Sequence, residues 1–204
     1  MSIYSAKIPN AAFGINSTKT TPGFAEKHFG DTASAYIPKV DPHHVFPMKS
    51  FIQFRAWWLL GENEPMTLVG PQGSGKTSFV RQWSARVNCP VYTYNGQRYS
   101  EKSELIGSML PAPGGAIWCD GPATKAWRSG GIVLINEPSL ATDLGPAIND
   151  LTEGAPIEIP QTGEIILRHP LARIIFTDNI RGLVGDESGM LQGRNLQDAS
   201  AKDR

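Results

Sequence analysis

Lys76 and Thr77 close the run Gly70-Pro-Gln-Gly-Ser-Gly-Lys-Thr77, the stretch where this chain most plainly carries chemistry. Its glycines let the backbone curl until N–H groups point inward at phosphate oxygens. Lys76 adds a point charge for the β- and γ-phosphates, and the Thr77 hydroxyl is placed to hold Mg2+. The flanks agree. A short apolar segment, Met66 to Val69, precedes the loop, and a helix-patterned segment, Ser78 to Val87, follows it. That is the strand, loop and helix order a phosphate-binding P-loop requires. The expected seat for a nucleoside triphosphate is therefore Gly70, Pro71, Gln72, Gly73, Ser74, Gly75, Lys76, Thr77 and Ser78, with ATP and Mg2+ as cofactors.

Turnover needs further groups. The apolar run Gly130 to Ile135 ends in Asn136-Glu137, where P-loop enzymes commonly carry two acidic residues. Strand ends of such sheets converge on the phosphate site, so Glu137 is placed to deprotonate and aim an attacking water. Asn136 departs from the pattern: its amide oxygen can meet a Mg2+-bound water but brings no charge, which weakens an oxygen-rich cation site. A second run, Arg173 to Thr177, leads into Asp178-Asn179, and Asn179 is a candidate polar sensor of the water or the γ-phosphate. Two functions stay open at this point: an ATP-hydrolysing subunit, and a nucleotide-gated binding or assembly module with little turnover.

The elements that must position these groups follow from periodicity. Pro90 to Asn95, β-branched and aromatic, reads as another strand, and the continuous apolar runs suit strands buried on both faces of a parallel sheet. Strands alternating with helical stretches predict a three-layer α/β fold. Two segments interrupt the alternation and read as hairpins, Gly107 to Asp120 and 156 to 168 around Gln161-Thr-Gly163. A helix is predicted over Lys49 to Leu60, ended by Gly61, with Trp57 and Trp58 as packing anchors. Residues 1–45, rich in Pro, Gly, Ser, Thr and Lys, read as an extended arm or partly disordered leader before a core over 46–204.

Composition narrows the function classes. Nineteen Lys and Arg balance nineteen Asp and Glu, so the whole chain shows no electrostatic footprint for nucleic acid or an anionic membrane. Cys89 and Cys119 make neither a disulfide framework nor a zinc site, and both read as small buried thiols. His43-His44 reads as surface or packing chemistry. No apolar run approaches the roughly 18 residues that span a bilayer, and the expected location is a reducing cytoplasm.

With these parts in order, the chain resembles the MoxR-like branch of the AAA+ ATPases, and within it the small ATPase subunit of aerobic cobaltochelatase and its relatives. The resemblance covers roughly residues 36 to 204. It is carried by Tyr36-Ile-Pro-Lys-Val-Asp-Pro-His43, Asp120-Gly-Pro-Ala-Thr-Lys-Ala-Trp127, Gly130-Gly-Ile-Val-Leu-Ile-Asn-Glu137, Ile157-Glu-Ile-Pro-Gln-Thr-Gly163, Phe176-Thr-Asp-Asn179 and Gly182-Leu-Val-Gly-Asp186, besides the P-loop. It implies that Gly70 to Thr77 is Walker A, Asn136-Glu137 Walker B and Asn179 sensor 1. The 107–120 hairpin becomes the helix-2 insert and the 156–168 hairpin the insert before sensor 1. Lys202-Asp203-Arg204 aligns with the family's Asp-Arg pair, making Arg204 a candidate arginine finger acting on a neighbour's ATP. It further implies a homo-oligomeric ring of hexamer type, a partner with a metal-dependent adhesion-type domain, and remodelling or activation of that partner, with cobalt insertion as one version. The family's strand after the finger and its helical lid have no counterpart before Arg204, which would leave the Met66–Val69 strand an unpaired edge; the expectation is therefore that the sequence is a fragment or truncated product, or that another chain or the N-terminal arm covers that edge.

Overall fold

Side chains alternate to opposite faces of a strand, and here that alternation builds three layers. The computed structural model describes residues 4–25, 28–61 and 63–179. In chain order these contain β1 (Ala6–Pro9), β2 (Thr20–Gly23), the single turn α1 (Asp31–Ser34), α2 (Met48–Leu60), β3 (Met66–Val69), α3 (Lys76–Val87) and β4 (Val91–Asn95). There follow α4 (Lys102–Ile106), β5 (Gly107–Ala112), β6 (Gly115–Asp120), α5 (Pro122–Ser129), β7 (Gly131–Asn136), α6 (Gly145–Glu153), β8 (Ile157–Ile159), β9 (Glu164–Ile166) and β10 (Ala172–Asp178).

Four of these strands form one parallel sheet in the order β3-β10-β7-β4. Ile132 and Leu134 of β7 face the layer of α2 and α3, packing with Phe51, Phe54, Trp58, Val80 and Trp83. Val133 and Ile135, one residue out of phase, face the opposite layer with Ala126, Trp127 and Leu151 of α5 and α6. Each fully buried side chain of this size contributes about 1.5–3 kcal/mol, and the continuous apolar run on β7 is what burial on both faces demands. The fold is thus the three-layer α/β P-loop architecture that the strand and helix alternation predicts.

Both expected hairpins are present, β5 with β6 and β8 with β9. The Arg128 guanidinium, at the end of α5, donates to Asp120 of the first and to Glu164 of the second and so joins them. The Lys49–Leu60 helix stands as α2, with Trp58 buried and the Trp57 indole N–H donating to the Glu64 carbonyl at 2.8 Å.

Two expectations are corrected. Residues 4–25 and 28–45 do not form an extended or partly disordered arm: β1 and β2 pair as a hairpin, and Phe13, Phe24 and Phe29 sink into the core against α2 and α3. Their irregular spacing hid this, because each aromatic leaves a separate turn and no period results. The arm does not cover β3 either. Among the described residues β3 pairs with β10 alone, and the N-terminal hairpin pairs with itself. Cys89 is buried as expected, but Cys119 is exposed, because hairpin β5–β6 turns the row of residues containing it outward. No described helix is long and apolar enough to cross a membrane.

Candidate functional site

The register of the sheet brings three polar side chains to one row. Asn136 at the end of β7 lies opposite Asn95 of β4 on one side and Thr177 of β10 on the other. Thr177 donates its hydroxyl to Asn136 Oδ1 at 2.6 Å, and the Asn136 amide N–H donates to Asn95 Oδ1 at 2.7 Å. Thr77, at the start of α3, also donates to Asn136 Oδ1, at 3.1 Å. The four side chains are one connected network at the carboxyl ends of the strands, which is where open α/β sheets bind ligands.

The loop after β3 curls as its glycines dictate. Gly73 and Gly75 hold φ of +80° and +84°, a region that costs an L-residue about 1–2 kcal/mol. The turn delivers the amino end of α3, with its unpaired N–H groups and positive dipole end, to a cavity of about 400 Å³. Lys76 reaches back along this loop, its Nζ donating to the carbonyls of Gly70 at 2.7 Å and Pro71 at 2.9 Å. The same ammonium lies 3.4 Å from Asn179 Oδ1. Asn179 in turn donates from Nδ2 to Glu137 Oε1 at 2.8 Å. One amide therefore spans the lysine and the carboxylate.

Glu137 has a left-handed backbone, φ 51° and ψ 52°, a conformation that costs a non-glycine residue about 1–3 kcal/mol and persists when its surroundings over-determine it. Its N–H donates to the Thr177 carbonyl at 2.7 Å, and its own carbonyl accepts from Leu140 N–H at 3.0 Å. Gly96 closes in behind it: a Cβ there would stand 2.3 Å from the Glu137 carbonyl oxygen. The strand end at 95–96 and the bend at 137 can meet only because residue 96 has no side chain.

Of the predicted residues, Gln72, Gly73, Gly75, Lys76, Thr77, Ser78, Asn136, Glu137 and Asn179 line the cavity. Gly70, Pro71 and Ser74 are not part of the lining, though the carbonyls of the first two hold Lys76. Arg204 and the Gly182–Asp186 motif lie outside the described residues. Asn95, Gly96 and Thr177 also line the cavity and were not anticipated. An Asn-Gly pair after a strand reads as a turn, and a Thr inside an apolar run reads as filler; only the register reveals them.

The donor set fits Mg2+. Thr77 Oγ1 and Asn136 Oδ1 are neutral oxygens 3.1 Å apart, and Mg2+ favours oxygen ligands while keeping several waters. Among the described residues the lining carries one carboxylate, Glu137, and one ammonium, Lys76. No group of three or more His, Cys, Asp and Glu that could cage a metal occurs among the described residues.

Comparison with known proteins agrees with this geometry. A family profile for the AAA domain, dynein-related subfamily, matches residues 65–194. Protein NorQ of Paracoccus denitrificans is 38% identical over 149 residues, 72% of this chain and 52% of that protein. Aerobic cobaltochelatase subunit CobS of a Sinorhizobium species is 24% identical over 198 residues, 94% of this chain and 57% of that protein. The chain spans about half the length of the curated relatives it matches. Among solved structures, a candidate ATPase from Cytophaga hutchinsonii superposes with a TM-score of 0.53 at 15% identity, over 76% of this chain and 43% of that one, a likeness of fold alone.

Proposed function

The chain belongs to the AAA domain family, dynein-related subfamily, with MoxR-like AAA+ ATPases among its relatives, and from that premise we propose that it binds and hydrolyses ATP to act on a partner protein. Residues Gly70 to Ser78 hold the phosphates through main-chain N–H groups and the amino end of α3. Lys76 leaves the Gly70 and Pro71 carbonyls for the β- and γ-phosphate oxygens. Thr77 and Asn136 would hold Mg2+, which supplies charge neutralisation across those oxygens. Glu137 takes the proton of the attacking water. Asn179 keeps that carboxylate aimed and shares its amide oxygen with Lys76. The observation that carries the reading is this amide, 2.8 Å from Glu137 and 3.4 Å from Lys76 across one cavity.

The work is activation or remodelling of a partner, with copies arranged in a ring and Arg204 serving a neighbour's nucleotide. A partner with a metal-dependent adhesion-type domain suits that arrangement, and insertion of cobalt, suggested by the name of the Sinorhizobium relative, is one form the work takes.

Asn136 favours a second reading, a nucleotide-gated assembly module with slow turnover. Its neutral amide is engaged by Thr77, Thr177 and Asn95 together, and among the described residues Glu137 is the one carboxylate that lines the cavity. Measuring ATP binding by calorimetry and turnover by phosphate release separates the two. Lys76→Ala should lose detectable binding. Glu137→Gln should bind as the wild type does and turn over about 10²–10⁴-fold more slowly, the usual worth of a general base. Wild-type turnover no faster than that of Glu137→Gln, with both binding ATP, selects the second reading. A rise on Asn136→Asp would identify the missing charge as its cause.

A further inference from the structure

Asn179 carries the proposed site, yet it stands one residue beyond β10, where no ladder bond fixes it. What holds it is its neighbour. The Asn179 N–H donates to Asp178 Oδ1 at 2.7 Å, and the Ser139 hydroxyl donates to the same oxygen at 3.1 Å. The main-chain carbonyl of Asp178 accepts from the Gly70 N–H at 3.2 Å. Asp178 is thus tied to three pieces at once: the first residue of the phosphate loop, the turn behind Glu137, and Asn179. Alternation along β10 sends Thr177 toward the cavity and Asp178 away from it, so the Asp178 carboxylate is no part of the lining.

We propose that Asp178 is a positioning residue for nucleotide hydrolysis: its carboxylate clamps Asn179 to the Ser139 turn, so that the Asn179 amide stays between Lys76 and Glu137. The inference rests on the hydrolytic reading given above. Two bonds into a single oxygen fix two segments relative to each other, which a side chain in the cavity could not do while also meeting substrate. The phosphate loop is held by the main-chain carbonyl, which every substitution retains, so loss of the carboxylate should disturb aim and leave binding alone.

Single-turnover hydrolysis and nucleotide affinity, read on the full chain for Asp178→Ala, Asp178→Asn, Asn179→Ala and the double variant Asp178→Ala/Asn179→Ala, test this. Asp178→Ala should slow hydrolysis about 10–100-fold, the cost of misplacing a group by the order of an ångström, with affinity unchanged. Asp178→Asn, which keeps an acceptor oxygen, should restore most of the rate, and the double variant should be no slower than Asn179→Ala. If Asn179→Ala is slow while Asp178→Ala runs at the wild-type rate, or if the two losses multiply, the clamp is overturned and the hydrolytic reading stands. If Asn179→Ala turns over normally, the assignment of Asn179 fails and the clamp falls with it. Should Asp178→Ala not fold, Ser139→Ala reads the same clamp: a smaller loss of rate that vanishes in the Asn179→Ala background supports it, and no loss overturns it.

Discussion

The cavity at the carboxyl ends of the strands and the aromatic layer under α2 and α3 are held together by opposite means. At the cavity, short directional bonds link side chains of α3, β4, β7 and β10 and of the turns that follow β7 and β10, and moving any of these groups by an ångström breaks one. In the aromatic layer the links are ring contacts: Phe13 meets Trp83, Phe51 and Phe46 at centroid distances of 5.0, 5.2 and 5.4 Å, and Phe54 meets Trp83 at 4.8 Å. These bury large areas and tolerate far more displacement than a hydrogen bond does. Arg86 of α3 rivets the layer, donating to the Ala12 carbonyl at 2.7 Å and the Asp41 carbonyl at 2.9 Å while stacking on Phe46. The difference teaches that stability and chemistry are separable here: one region supplies burial, the other aim.

The strongest attempt to break that division is Phe13→Ala. Phe13 is 1% exposed, and removing such a ring from a packed core costs about 3–5 kcal/mol, a large share of the roughly 5–15 kcal/mol that holds a domain folded. Urea unfolding should show that loss, while ATP affinity, measured well below the transition, should hardly change. Cysteine labelling gives an independent reading. Burial pushes the Cys89 thiol up to about 12, and Cys89 lies in the same cluster as Phe13, whereas Cys119 is exposed. One thiol should react at once and the other only as the core opens, faster in Phe13→Ala and unchanged in Lys76→Ala. A loss of ATP affinity that matches the loss of stability in Phe13→Ala would show that the regions are coupled.

The same division explains what could be read from the chain. The strands and the phosphate loop were legible because each is a contiguous pattern: an apolar run, or glycines at fixed offsets ahead of Lys76. Glu137 and Asn179 were legible as neighbours because strand ends converge in such sheets. Asn95 and Thr177 were not, since their meeting at Asn136 depends on the register of three strands, and no local pattern encodes register. Gly96 was hidden for the same reason, its need being set by a carbonyl 41 positions away at Glu137. Phe13, Phe24 and Phe46 were illegible because packing on α2 and α3 needs area and no particular spacing.

Gly96→Ala probes the cavity from the other side, with an intermediate effect. The added Cβ would stand 2.3 Å from the Glu137 carbonyl oxygen, and such a contact with backbone forces one of two bends to move. Overpacking of this kind costs about 1–3 kcal/mol. The shift should fall on the bend at 137, so turnover should drop by a larger factor than the affinity for ATP. Phosphate release and calorimetry on the same preparation check this. A variant that loses stability and keeps full turnover would show that the left-handed bend at Glu137 is not what aims the carboxylate.

The smallest effect is expected from pH. His44 meets Phe46 edge-on in the aromatic layer, and burial, then the neighbouring Arg86 charge, hold its pKa below the ordinary value, with Asp41 acting in the opposite sense. His169, in the loop between β9 and β10, is also lowered, first by burial and then by the positive charge of His28. A folded histidine with a depressed pKa binds its proton later than the unfolded chain does. Stability is therefore complete above about pH 6.5, the unfolded value, and declines as pH falls from there through the lower folded values. Among the described residues no histidine lines the cavity. Urea midpoints between pH 7 and pH 5 should thus fall while ATP affinity stays level, and His44→Gln should remove part of the fall. A midpoint that holds steady while affinity declines would reverse the assignment of burial to one region and aim to the other.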